Sequence, residues 1–173
     1  MGDLTEMFGV NSKQAFDFFL RYLCEEVVSK NVSEMETLYV ASVMAHYAQT
    51  SRHEAMSMSP SGSLYDILDT FVLPGFTAEG AAGLQDPEIL EVAGSHTLLL
   101  VGFFRDQMKR QHNLGWYVRL GQSFFDRAGS RLKAEKKAGL LRSVALNFPL
   151  WATACSNMSR TLREERFLLK FES

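Results

Sequence analysis

Cysteine and proline are scarce: two and four in 173 residues. Cys24 and Cys155 form no CxxC pair, so neither a disulfide framework nor a thiolate metal cluster is available, and two reduced, buried thiols in a cytoplasmic protein are expected. The opening MGDLTEMFGV lacks a cationic segment before an apolar run, which argues against a cleaved secretory signal. Glu6 stands where myristoylation requires Ser or Thr. Long hydrophobic runs are also missing. The longest, Leu98 to Phe104, falls far short of the ~18 residues of a membrane span, and Arg142, Asn147, Pro149 and Asn157 interrupt the apolar stretch Leu140 to Met158.

Catalytic signatures are equally sparse. The chain has no GxxxxGK[ST], no strand leading into GxGxxG, no GxSxG and no HExxH. Glu91 and His96 are five apart and would face different ways on a helix, and no Glu-x-x-His pair exists for a di-iron carboxylate bundle. No catalytic residue, metal ligand set or cofactor is assigned from the sequence. At this length about 70% of the unfolded chain's surface can be buried, so a single domain, 1–173, needs no staple.

What is present is helical periodicity. Lys13, Asp17, Arg21 and Glu25 advance by four opposite Phe16, Phe19, Leu20, Leu23 and Val27, after a capping Asn11. Ser33 and Glu36 form a second capping box, opening a helix whose expected apolar stripe is Met35, Leu38, Tyr39, Val43 and Tyr47. About three residues join these helices, which predicts an antiparallel pair. Thr50 to Ser63 reads as a loop, Leu64 to Leu73 as a short helix, and Pro74 to Leu84 as a Gly- and Ala-rich connection. Asp86, Pro87 and Glu88 start a helix expected to continue to about Gln111, apolar on nearly every side from Val92 to Phe104 and therefore central. Asn113 and Gly115 suit a helix end, Trp116 to Arg127 a further helix, and Gly129 and Ser130 its break. Pro149 should kink or split the helix carrying Leu140 to Met158, and Leu162 to Phe171 closes the chain. The fold expected is all-α: a bundle of six to seven helices around a central buried one.

The net charge of −2 conceals a division. Residues 1–104 carry 4 Lys+Arg and 14 Asp+Glu, a net of −10, whereas residues 105–173 carry 14 and 6, a net of +8. The halves could pair within one bundle, or the acidic surface of one copy could meet the basic surface of another. From the sign change onward, cations interleave with aromatics: Phe103 and Phe104 at the boundary, then Trp116, Tyr117, Phe124 and Phe125. Cations neutralise phosphates and aromatics stack on bases, but the sequence pI of 6.1 is low for a dedicated nucleic-acid binder. An anionic protein partner is preferred, contacted by Arg105, Lys109, Arg110 and Arg119 with Trp116 and Tyr117 as anchors.

The alternative is a haem- or small-molecule-binding sensor or enzyme using His46 or His96 in a pocket of the helical core. A core histidine satisfied by a carbonyl or hydroxyl is the commoner use of such a residue. His53, Met56 and Met58 could offer soft ligands to Cu(I), although a Ser-rich loop more often has no such role; His112, among cations, should be solvated.

The stretch Gly94-Ser-His96-Thr-Leu-Leu-Leu-Val-Gly102-Phe103-Phe104, with Trp116-Tyr117, Leu120-Gly121 and Phe124-Phe125, resembles a pattern in uncharacterised helical proteins of proteobacteria. The resemblance covers only residues 94–125, and its glycines and aromatics are packing residues. It implies a bacterial source and a compact helical domain, and it implies no activity. Gly94 and Gly102, eight apart, would let a neighbouring helix approach closely.

Overall fold

A computed structural model describes the backbone of residues 12–54, 86–111 and 113–171. Seven helices and no strand occur among them: α1 (Ser12–Val27), α2 (Glu34–Glu54), α3 (Pro87–Phe103), α4 (Arg105–Gln111), α5 (Leu114–Arg131), α6 (Glu135–Leu146) and α7 (Phe148–Phe171). The architecture is all-α. Asn11, residues 55–63 of the expected loop, the segment 64–85, and with them Met56 and Met58, lie outside the described residues, as do His112 and the side chains of His53 and 162–171.

One apolar cluster draws on every helix. Helix α3 is its axis: α5 and α7 pack against it, α1 packs against α2 and α7, and α6 against α5. Its start follows the local signals, since Asp86 accepts a hydrogen bond from the Glu88 amide at 2.9 Å and Pro87 sits at the first helical position. Ten of its residues are buried, from Leu90 to Phe103.

Glycines set how closely the neighbours approach. A Cβ on Gly94 would lie 2.9 Å from the Phe125 ring of α5, and one on Gly102 would lie 2.7 Å from Cys155 Cβ of α7. The two positions therefore serve two different helices rather than one. Eight residues on an α-helix turn through about 80° beyond two full turns, enough to change the neighbour faced. Gly129 does not break α5. The helix runs through it to Arg131, and the missing side chain admits Ala138 O and Arg142 of α6.

Several element boundaries differ from those expected. The single helix predicted to Gln111 is divided at Phe104, whose amide still donates to Leu100 O at 3.0 Å while α4 begins afresh at Arg105. Buried Phe104 and Met108 hold both sides of this break in the core. Asn113 starts a helix instead of ending one: its side chain accepts from the Trp116 amide at 3.0 Å. Near Pro149 the break falls two residues earlier, at Asn147, leaving proline in the first turn of α7, where an absent N–H costs little. From there α7 runs unbroken through the segment read as a separate final helix. Helix α2 extends through Glu54, into the stretch read as loop. Six residues, 28–33, connect α1 to α2, not three.

In α1 the anticipated faces are found: Phe19, Leu23 and Val27 are buried, while Lys13, Asp17, Arg21 and Glu25 are exposed. Helix α2 is turned partly away from its predicted stripe: Tyr39 and Val43 pack, partly buried, against the core, while the side chain of Tyr47 lies outside the described residues. Met35 is 61% exposed, and the buried side is Glu36, Thr37, Val40, Ala41, Met44 and Ala45. The cause is Glu36, only 3% exposed, whose carboxylate accepts hydrogen bonds from Trp151 Nε1 at 3.0 Å and Asn147 Nδ2 at 3.0 and 3.2 Å. Ser33 caps the Glu36 amide at 3.1 Å as expected, but the carboxylate is committed to the α6–α7 junction. Cys155 is buried; Cys24 is exposed, a correction to the pair of buried thiols expected.

Candidate functional site

The sequence-predicted contact residues gather where α3 ends, α4 forms its short step and α5 begins. Lys109, Arg110 and Arg119 are exposed there. Arg110 Nε also donates to Asp106 O at 3.3 Å, bracing the guanidinium against its own helix. Arg105 is half-buried, and its guanidinium donates to Thr153 Oγ1 of α7 at 3.2 Å. It is a tether between α4 and α7 more than a free contact group. From residue 107 to 125 the chain contains these three cations, Lys109, Arg110 and Arg119, and no Asp or Glu.

The two aromatics divide their roles. Trp116 is 38% exposed, whereas Tyr117 is buried at 7% and cannot anchor a partner directly. Their rings meet edge to face, with centroids 4.7 Å apart and an interplanar angle of 88°. Tyr117 thus fixes the indole rather than sharing its exposure, an arrangement favoured by the ring quadrupoles. Phe103, Phe104, Phe124 and Phe125 are buried. Of the six aromatics interleaved with the cations, Trp116 alone is exposed.

A second polar constellation, not anticipated from the sequence, joins the opposite end of α3 to its neighbours. Tyr39 Oη donates to Glu91 Oε1 at 2.8 Å, and Lys137 Nζ pairs with Glu91 Oε2 at 2.8 Å. Burial first, then the Glu91 charge and hydrogen bond, push the Tyr39 hydroxyl well above the ordinary tyrosine range. The Tyr39 ring stands edge to face on Phe125, with centroids 6.2 Å apart. The chemistry available here is cohesion between α2, α3 and α6. Its sequence trace was faint: Lys137 and Glu91 are far apart in the chain, and only the return of α5 along α3 brings them together.

These contacts partly resolve the charge division. Near the start of α3, Lys137 of the basic half meets Glu91 of the acidic half. Other acids are met by neutral donors: Glu36 by Trp151 and Asn147, and Glu26 by Asn157 Nδ2 at 3.1 Å. Helix α3 also places Asp86 and Glu88 at its positive end and the α4 cations beyond its negative end, the orientation that the helix dipole favours.

His46 and His96 are both exposed, so neither imidazole lies within the core as the pocket alternative requires. For His96 the reason is the solvent-facing strip of α3, which also carries Glu88 and Val92. Among the described residues no group of three His, Cys, Asp or Glu side chains is placed to hold a metal ion, and no helix is long and apolar enough to cross a membrane. Burial pushes the Cys155 thiol up to about 12, and its Sγ lies 4.0 Å from Met44 Sδ. Comparison of the chain with protein-family models, curated proteins and solved structures gave no match.

Proposed function

We propose that this protein is a non-enzymatic helical interaction module that holds an anionic protein partner at the α4–α5 corner. The observation that supports this most directly is the state of Trp116: an indole left open to solvent, braced by the buried Tyr117, on a surface where Lys109, Arg110 and Arg119 are exposed. Fixed aromatics and arginines are the residue types that dominate binding energy at interfaces, and a braced side chain loses little entropy on binding. Arg105 supports the corner through Thr153, and Tyr117 supports it through the ring contact. The glycine and aromatic pattern of 94–125 would place such a module in a bacterium, and the cysteine usage in its cytoplasm.

Binding of poly-glutamate, followed by fluorescence anisotropy, tests this reading. Alanine at Lys109, Arg110 and Arg119 together is expected to weaken it by at least about tenfold, with an unchanged helical circular dichroism spectrum. Undiminished binding by the folded triple variant would refute the site.

A further inference from the structure

We infer that the anionic partner is an acidic protein segment carrying an apolar side chain beside its carboxylates; this rests on the reading of the α4–α5 corner as the contact region. Trp116 and Arg119 are three residues apart on α5 and both exposed, so they emerge on one helix face within about 5 Å of axial rise. A ligand that engages both must offer an apolar group and an anion next to each other. Acidic side chains alternating with an aliphatic or aromatic one supply that pair.

Two other sources of negative charge fit the surface less well. A single nucleic-acid strand gains its affinity from several bases stacked on successive aromatics, and five of the six aromatics in this region are buried. A second copy of the chain would need a clean acidic face. At the start of α3, however, Glu88 and Glu91 share their end of the molecule with Lys137 and the exposed Lys136, giving a surface of mixed sign.

The test uses the full chain and three labelled probes: a glutamate peptide with one central leucine, the same peptide without it, and oligothymidylate of matched charge. The leucine peptide should bind at least about threefold more tightly than the all-glutamate peptide, and W116A should abolish that preference with an unchanged helical circular dichroism spectrum. K109A/R110A/R119A should weaken both peptides. Oligothymidylate that binds more tightly than either peptide and is released by the triple variant would overturn the partner class while keeping the corner. Peptide binding untouched by the triple variant would overturn the corner itself. Failure of both peptides to bind the wild type, or a salt-sensitive dimer dissolved by the triple variant, would also overturn the inference.

Discussion

At the scale of single residues, Glu36 decides more of the structure than its position in a capping box suggests. Removing its carboxylate leaves the Trp151 indole N–H and the Asn147 amide without their acceptor at a buried site. E36A should therefore cost about 3 kcal/mol in urea unfolding, whereas M35A, one residue away and exposed, should stay within about 0.5 kcal/mol. This explains the misjudged face of α2: a hydrophobic pattern counts Met35 as inside and Glu36 as outside, and nothing local shows that Trp151 will supply a donor 115 residues later. Burial also protects protons. Tyr39 and Cys155 keep theirs in the folded state beyond the pH at which the unfolded chain loses them, ~8.5 for the thiol and ~10 for the phenol. Above pH ~9 the unfolded state thus binds fewer protons than the native state, and stability should fall as pH rises, the contribution being fully present below that window. The urea midpoint measured against pH checks the sign, and Y39F should flatten the upper part of the decline. Thiol titration should count one reactive cysteine, Cys24, in the native protein and two after denaturation.

At the scale of elements, helices were legible where their ends carry local chemistry and illegible where packing sets them. Asp86-Pro87-Glu88 specifies the start of α3 unaided. The division at Phe104 follows from no breaker at that position, whereas the one at Asn147 is the split expected from Pro149 two residues on. Phe104 and Met108 are both drawn into the core across the first, and Asn147 is held by Glu36 at the second. Gly129 shows the converse, a glycine that reads as an interruption but acts as a contact point, and Gly121 packs as closely. A Cβ on Gly121 would fall on the Phe148 ring, while one on Gly139 of α6 would meet nothing within 4 Å. G121A should accordingly destabilise by about 1–3 kcal/mol through overpacking. G139A should stabilise by about 0.5–1 kcal/mol through helix propensity alone. Thermal or urea unfolding of the two variants distinguishes packing from propensity. P149A should be close to neutral, because the proline occupies a first turn that needs no donor there.

At the scale of the whole molecule, the charge division visible in the composition becomes a difference between the two ends of α3. One end is stitched by the Lys137–Glu91–Tyr39 contacts, which join the halves within the bundle. The other leads into α4 and α5, where Lys109, Arg110, Arg119 and Trp116 are all exposed. The residues of this corner were legible because cations and aromatics cluster in sequence; the inward turn of Tyr117 and the tether of Arg105 to Thr153 were not, because both depend on neighbours that only the fold supplies. The central claim is that these three cations form an electrostatic contact region, and the salt dependence of poly-glutamate binding tests it most directly. Wild-type affinity should fall steeply from low to high ionic strength, and that of K109A/R110A/R119A should be weak throughout with a much shallower dependence. An equally steep dependence in both proteins would place the binding charges elsewhere and contradict the account.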